Sequence, residues 1–371
     1  MTDPATPAEA APPAERSPWH VYTGNPEAVP APITVPDAPS WRRFDDDAEP
    51  VAEDLAVEDA DAGATFRATP EMVEAVNAAL HLRRPLLLTG RPGSGKSSLI
   101  DSVARELMLG RVLRWHVTSG STLTDALYRY DAIGRLHAQS LREASSRVRG
   151  PVPSEQRPAS APRRAVADRS APAIEGYLRL GPLGTALLPS RCPRALLIDE
   201  IDKSDIDLPN DLLNVFERGE YPIPELARLD RETVTIRVDG GDETAAVHRG
   251  RVRCREFPFV VLTSNGERDF PAAFLRRCIR LRMPDPTVGL LTTIVTAHLG
   301  SDVATRAAKL IADFAALAKQ SPAYSTDQLM NALFLVGSGR AGEALAADPK
   351  ARDRVRELVL KKLIADRPET P

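Results

Sequence analysis

Cysteine is scarce and scattered. Cys192, Cys254 and Cys278 are the only three in 371 residues, odd in number and without Cys-x-x-Cys or paired Cys/His spacing. That excludes a disulfide framework and a zinc knuckle, and it fits a reducing compartment. Long hydrophobic runs are missing too: nowhere do about 18 apolar residues follow one another, and Met1-Thr2-Asp3-Pro4 lacks the basic and then apolar stretch of a secretory leader. Neither export nor a membrane span is expected, and the expected location is cytoplasmic. Charge of one sign is absent as well, since 48 Lys+Arg against 51 Asp+Glu leaves a net charge of −3. Without a global basic field, non-specific binding to a phosphate backbone is disfavoured as the main task. What the chain has in excess is proline, 33 residues, too many for a uniformly compact fold. Otherwise 43% hydrophobic and 27% charged residues describe a soluble globular protein, long enough for one large domain plus an appendage or a smaller second domain.

Proline, alanine and acids gather over residues 1–64, which end in Asp45, Asp46, Asp47, Glu49, Glu53, Asp54, Glu58, Asp59 and Asp61. Such a segment buries too little to offset its ordering entropy, so a disordered tail is expected. Trp19, Tyr22, Trp41 and Phe44 lie in it and leave two readings: rings resting loosely on the protein's own surface, or a motif that docks a partner.

From residue 65 the pattern changes. Thr69-Pro70-Glu71 reads as N-cap, first-turn proline and first-turn acid, with Met72, Val73, Val76 and Leu80 on one helical face. Pro85 to Thr89 predicts a strand. Leu99, Ile100, Val103 and Leu107 predict a helix closed by Gly110, and Val112 to Val117 a second strand. Residues 142–173, rich in Arg, Ser and Pro, read as a mobile insert. Ala195 to Ile198 and Phe259 to Leu262 are apolar enough for buried strands, with Leu208 to Phe216 a helix between them. Thr233 to Val238 alternates, and Arg251 to Cys254 is its expected return strand in a hairpin over 232–254. Beyond Gly289 only helical patterns appear: 290–299, 303–318, 327–335 and 351–364. The whole reads as an α/β domain over 65–285, a small all-helical domain over 286–366 and a short disordered tail over 367–371.

Four stretches carry chemistry. Gly90-Arg91-Pro92-Gly93-Ser94-Gly95-Lys96-Ser97 fits G-x-x-x-x-G-K-[S/T] between a predicted strand and a predicted helix. Its glycines free backbone N–H groups to face phosphate oxygens, and the helix start adds its positive dipole end. Lys96 would reach the β- and γ-phosphates and Ser97 would ligate Mg²⁺. Gly90, Pro92, Gly93, Ser94, Gly95, Lys96, Ser97 and Ser98 form the candidate nucleotide-binding set. Leu196-Leu197-Ile198-Asp199-Glu200 is a buried strand ending in two acids at the edge where open α/β sheets bind ligands. Asp199 would hold Mg²⁺ through its water shell, and Glu200 would orient and activate the attacking water. Asn265 follows another buried strand and can bond the γ-phosphate or that water, or simply form a turn. Arg276 and Arg277, in Phe274-Leu275-Arg276-Arg277-Cys278, are either solvated cations or the groups that stabilise charge on a transferring phosphoryl group, supplied from a neighbouring subunit.

This order of motifs resembles the AAA+ ATPases, and among them the MoxR-like group, over about residues 65 to 365. The resemblance implies an αβα P-loop NTPase with a parallel five-stranded sheet, followed by the helical lid. It makes Gly90 to Ser97 the Walker A loop, Asp199 and Glu200 the Walker B acids, Asn265 sensor 1, and Arg277 the arginine finger with Arg276 as the alternative. Leu127 to Asp131 and Gly181 to Gly184 resemble the flanks of the insert in the second helix of such proteins, and 232–254 their pre-sensor hairpin. Also implied are ATP and Mg²⁺, a ring that is usually a hexamer, and a remodelled protein partner, for which a von Willebrand A-type protein on a separate chain is a candidate. One departure stands out: where relatives place a sensor 2 arginine, this chain reads Tyr324-Ser325-Thr326-Asp327-Gln328. Either another base such as Arg340 substitutes, or lid closure is coupled less tightly to the γ-phosphate. Beside the remodelling ATPase stand two other readings, an ATP-gated switch in a bacterial signalling or defence complex and a nucleic-acid motor. The motor rests on Arg237, Arg249, Arg251 and Arg253 and on the basic insert over 142–173; neither nucleic acid nor membrane is an expected partner.

Overall fold

A computed structural model describes residues 17–44, 63–148, 173–320 and 324–337, with the single positions 50 and 350. Thr69 accepts the N–H of Met72 and Pro70 takes the first turn, starting α1 (Pro70–Leu82). Then come β1 (Leu86–Thr89), α2 (Lys96–Glu106) and β2 (Leu113–His116). Helix α2 stops at Leu107 and not at Gly110: Met108 already turns left-handed at φ 50°, two residues earlier than the glycine at φ 76°.

Next are α3 (Leu123–Leu127), β3 (Tyr128–Tyr130), α4 (Ala132–Val148), β4 (Leu178–Leu180), α5 (Pro182–Ala186) and β5 (Ala195–Asp199). Residues 142–148 of the expected mobile insert therefore close a regular helix, while 149–172 lie outside the described residues. The chain continues through α6 (Leu208–Arg218), β6 (Glu220–Pro222), α7 (Pro224–Ala227), β7 (Thr233–Arg237), β8 (Thr244–His248) and β9 (Arg251–Arg253). It reaches β10 (Phe259–Ser264), α8 (Ala272–Leu275) and β11 (Ile279–Arg282).

Five strands form an all-parallel sheet in the order β11-β1-β10-β5-β2. Successive residues of its central strands enter different cores. Leu87, Leu196, Ile198, Val260 and Leu262 join α5, α6 and the second sheet, whereas Leu86, Leu88, Leu197 and Val261 join α1 and α2. Burial on both faces is why these strands read as unbroken apolar runs.

The second sheet has six strands in the order β3-β4-β7-β8-β9-β6, with Val234, Ile236, Ala245, Val247 and Val252 on its core face. Here the expected hairpin is corrected. The partner of β7 is β8, while β9 pairs with β6 and meets β8 only at His248. Two tight turns decide this. Gly240 at φ 77° returns the chain at once, and Arg249 and Gly250, both at positive φ, make a second reversal.

The helical region has α9 (Val288–Leu299), α10 (Ser301–Arg306), α11 (Ala308–Gln320) and α12 (Thr326–Gly337) around Leu291, Val295, Ile311, Phe314 and Leu329. The helix expected over 303–318 is two, interrupted at Ala307. The helix expected over 351–364 and the tail over 367–371 lie outside the described residues.

The expectation of a disordered segment is overturned over 17–44, which runs as a belt across α1 and α2. Tyr22 is wholly buried and Ile33 and Phe44 nearly so. Asn77 on α1 accepts the N–H groups of Val21 and Tyr22 and donates to the Tyr22 carbonyl. On α2 the Glu106 carboxylate accepts the N–H and hydroxyl of Thr23 and the N–H of Gly24, and Ser102 bonds the Tyr22 hydroxyl at 2.8 Å. Arg42 is buried against the rings of Phe44 and Phe257 and donates to the carbonyls of Arg83 and Phe216. Polar side chains on the outer sides of two helices thus satisfy the belt's backbone, which composition alone cannot reveal. Trp19 leans on His81 and Trp41 remains 75% exposed. The acidic run from Asp45 to Asp61 lies outside the described residues.

Candidate active site

The loop between β1 and α2 stands at the C-terminal edge of the parallel sheet, beside the ends of β5 and β10. Its glycines at 93 and 95 take φ of 69° and 81°, values a side chain would strain. A Cβ on Gly93 would also strike that of Ser325 at 2.5 Å, where the chain enters α12. Lys96 opens α2 and is buried. Its ammonium donates to the carbonyls of Gly90 and Arg91 at 2.9 and 2.8 Å and to Asn265 Oδ1 at 2.8 Å. Burial lowers its pKa, and the carboxylates of Asp199, Asp202 and Glu200 oppose that shift. The Ser94 hydroxyl is buried and has no hydrogen-bond partner among the described residues.

Strand β5 delivers Asp199 and Glu200 to the same edge. The Ser97 hydroxyl donates to Asp199 Oδ1 at 3.2 Å and the Thr263 hydroxyl to the same oxygen at 2.5 Å. His116 Nδ1 lies 3.4 Å from the other oxygen. Glu200 takes a left-handed backbone at φ 59°, an uncommon conformation for a side-chain-bearing residue, and its N–H donates to the Thr263 hydroxyl. Its carboxylate accepts from Lys203 at 2.7 Å and from Asn265 Nδ2 at 3.5 Å. The bond to Glu200 raises the Lys203 pKa.

Asp202 is the residue that the motifs did not single out. It is 3% exposed, and its Oδ2 accepts the N–H groups of Asn265 and Glu267 at 2.9 and 3.1 Å. That grip shapes the loop after β10 so that the Asn265 amide spans Lys96 and Glu200. Arg268 adds a second tie by donating to the Ser204 carbonyl. Thr263 was missed as well. The available signals were weak: Asp202 lies three residues after Asp199, and Thr263 is one of two hydroxyls, with Ser264, that close an otherwise apolar strand.

These groups line a cavity of about 730 Å³, closed on one side by Phe66, Arg67 and Met72 and on the other by Leu291, Ile294, Tyr324 and Asp327 of the helical region. Arg91 ties the loop to that region through Asp285, at 3.3 Å, and the Ala318 carbonyl. Gly93, Ser94, Gly95, Lys96, Ser97, Ser98, Asp199, Glu200 and Asn265 all line the cavity, as does Pro92. Gly90 lies just behind it, its carbonyl on Lys96. Arg276 and Arg277 are not among the lining residues. They cap α8, where Arg277 pairs with Glu217 at 2.7 Å and the Arg276 carbonyl accepts from Arg84.

Residues 85–278 match the family model of the AAA domain, dynein-related subfamily. The chain belongs to this AAA family. The matched span runs from the residue before β1 to the residue after Arg277, so it takes in the P-loop, both strand-end acids, Asn265 and the second sheet. As an AAA+ ATPase domain the chain is a nucleotide-binding P-loop protein. No curated protein matches it. No helix among the described residues is long and apolar enough to cross a membrane.

Proposed function

We propose that this chain is a MoxR-like AAA+ ATPase that binds ATP with Mg²⁺, hydrolyses it at the subunit interfaces of a ring, usually hexameric in such proteins, and uses the turnover to remodel or activate a protein partner. The observation that carries the hydrolytic reading is the Asn265 amide, which reaches from the Lys96 ammonium to the Glu200 carboxylate. One polar bridge joins the cation suited to phosphate and the carboxylate suited to water. Lys96 would exchange its carbonyl partners for phosphate oxygens, and the partnerless Ser94 hydroxyl is a donor already facing the loop. Glu200 would take a proton from water, with Asn265 and Lys203 holding its two oxygens.

Ser97 and Asp199 fit Mg²⁺, which is commonly held by one or two carboxylates besides phosphates and water. When bound, the ion supplies neutralisation of phosphate charge. Arg277, at the end of α8 and outside its own cavity, would act on a neighbour's nucleotide. A von Willebrand A-type protein on a separate chain is the proposed class of partner by family resemblance.

Replacing Glu200 by Gln is the deciding experiment. ATP affinity should persist while turnover falls by about 10²- to 10⁴-fold; unchanged turnover removes Glu200 as the base. Specific activity should also rise with protein concentration as rings form, read by light scattering. A second reading, an ATP-gated switch with slow turnover, is favoured by one observation: the helical region presents Tyr324 and Asp327 to the cavity where a cation is expected. The nucleic-acid motor loses part of its support, because Arg249 and Arg251 pair with Glu232 and Glu220.

A further inference from the structure

The solvent face of the six-stranded sheet carries a row of cations that the ATPase reading leaves unused. Arg129 on β3 stands in register with Arg179 on β4, and Arg179 with Arg237 on β7. All three are exposed, while Leu178, Leu180, Ile236 and Val238 beside them turn into the core. Adjacent strands are about 4.8 Å apart, so the three side chains rise together across about 10 Å. Thr244 on β8, opposite Arg237, extends the row with a hydroxyl.

Like charges directly opposed on a sheet are destabilising, so the row needs a reason other than folding. Asp239 interacts with it: burial raises the Asp239 carboxyl while Arg111, Arg179 and Arg129 draw it down, and one half-buried acid does not balance the cluster. Arg179 donates to the Gly241 carbonyl at 2.6 Å. Among the described residues, the side chains of Arg129 and Arg237 have neither a hydrogen-bond nor an ion-pair partner. Three other arginines around this sheet are matched, Arg231 with Glu175, Arg249 with Glu232 and Arg251 with Glu220, while Arg253 on β9, like Arg129 and Arg237, has no such partner among the described residues.

We propose that the row Arg129-Arg179-Arg237 is a docking site for an acidic segment of a protein partner. The planar guanidinium fork accepts a carboxylate in two parallel bonds, and three forks side by side suit a short run of Asp or Glu. Nucleic acid fits less well. Proteins that hold it through the backbone engage about 6–10 phosphates, far more than this row offers, and the chain's net charge is −3. The neighbouring exposed positions Thr233, Thr235, Ala246 and His248 include no Phe, Tyr or Trp on which bases would stack. The proposal adds to the remodelling reading the chemistry of the partner's docking segment and depends on that reading only for the steps after docking.

The test uses the full chain without nucleotide and measures fluorescence anisotropy of a labelled polyglutamate peptide, beside an oligothymidylate of equal charge. The peptide should bind, more weakly as salt rises. The triple variant Arg129→Gln/Arg179→Gln/Arg237→Gln should bind about tenfold or more weakly, with a melting temperature no lower than the parent's. The control Arg249→Gln/Arg251→Gln should change binding less than about twofold. Unaltered affinity in the triple variant overturns the proposal, as does tighter binding of the oligothymidylate. If the triple variant fails to fold, Arg129→Gln and Arg237→Gln singly must each weaken binding, or the proposal falls. ATP turnover is recorded in parallel: row-dependent peptide binding by a chain with no turnover refutes the ATPase reading and leaves the docking site standing, and turnover without peptide binding does the reverse.

Discussion

The central strands of the five-stranded sheet are buried on both faces, whereas the strands of the six-stranded sheet bury one face and show the other to solvent. The first sheet places its chemistry at strand ends, where β1, β5 and β10 bring Lys96, Asp199, Glu200 and Asn265 together. The second places its chemistry on a face, as the arginine row. A strand buried on both sides can offer polar groups only where it stops; a half-exposed one can offer them every second residue. The two sheets share one core, so a change in either can reach the other by packing. Their chemical roles are nonetheless separable by experiment.

The largest effect that would sharpen this contrast belongs to Arg277. Arg277→Ala should bind ATP normally yet lose about 10³- to 10⁵-fold in turnover, as for arginine fingers. If Arg276→Ala alone does so, the assignment moves one residue. In the second sheet, Ile236→Ala should lower unfolding free energy by about 2–5 kcal/mol in denaturant titration. ATP affinity at a temperature where the variant is folded should be unchanged; a loss there would break the separation. Asp202→Ala should reduce turnover by about 10- to 100-fold through misplacement of Asn265, with ATP affinity less affected and Asp202→Asn recovering part of the loss. Equal losses in Asp202→Ala and Asp202→Asn would assign the effect to charge and not to loop geometry. The smallest expected change is Tyr22→Phe, which removes the bond to Ser102 and should cost about 1 kcal/mol, read as a melting shift without change in turnover.

How far each region could be read in advance depends on the same difference. Leu196-Leu197-Ile198 and Phe259 to Leu262 are runs that only a doubly covered strand requires, and Gly90 to Ser97 is a local motif whose spacing carries its own geometry. Strands β3, β4 and β6, three residues each, are too short for periodicity to mark. Their partners lie far along the chain, so the arginine row did not exist as a pattern. The belt failed for a related reason: Pro- and Ala-rich composition averages over a window, while Tyr22 is held by Asn77 and Ser102, and Thr23 and Gly24 by Glu106, each on a distant helix.

By itself the sequence determined the parallel α/β core, the phosphate loop and the acids at the strand end, because each depends on residues adjacent in the chain or on burial so complete that it leaves an unbroken apolar run. Tertiary structure alone decided the pairing of β7 with β8, the grip of Asp202 on the Asn265 loop, the belt over α1 and α2 and the alignment of Arg129, Arg179 and Arg237. The β7–β8 pairing turned on the backbone reversal at Gly240; the other three bring together groups far apart in the chain, whose separation in sequence carries no trace of contact in space.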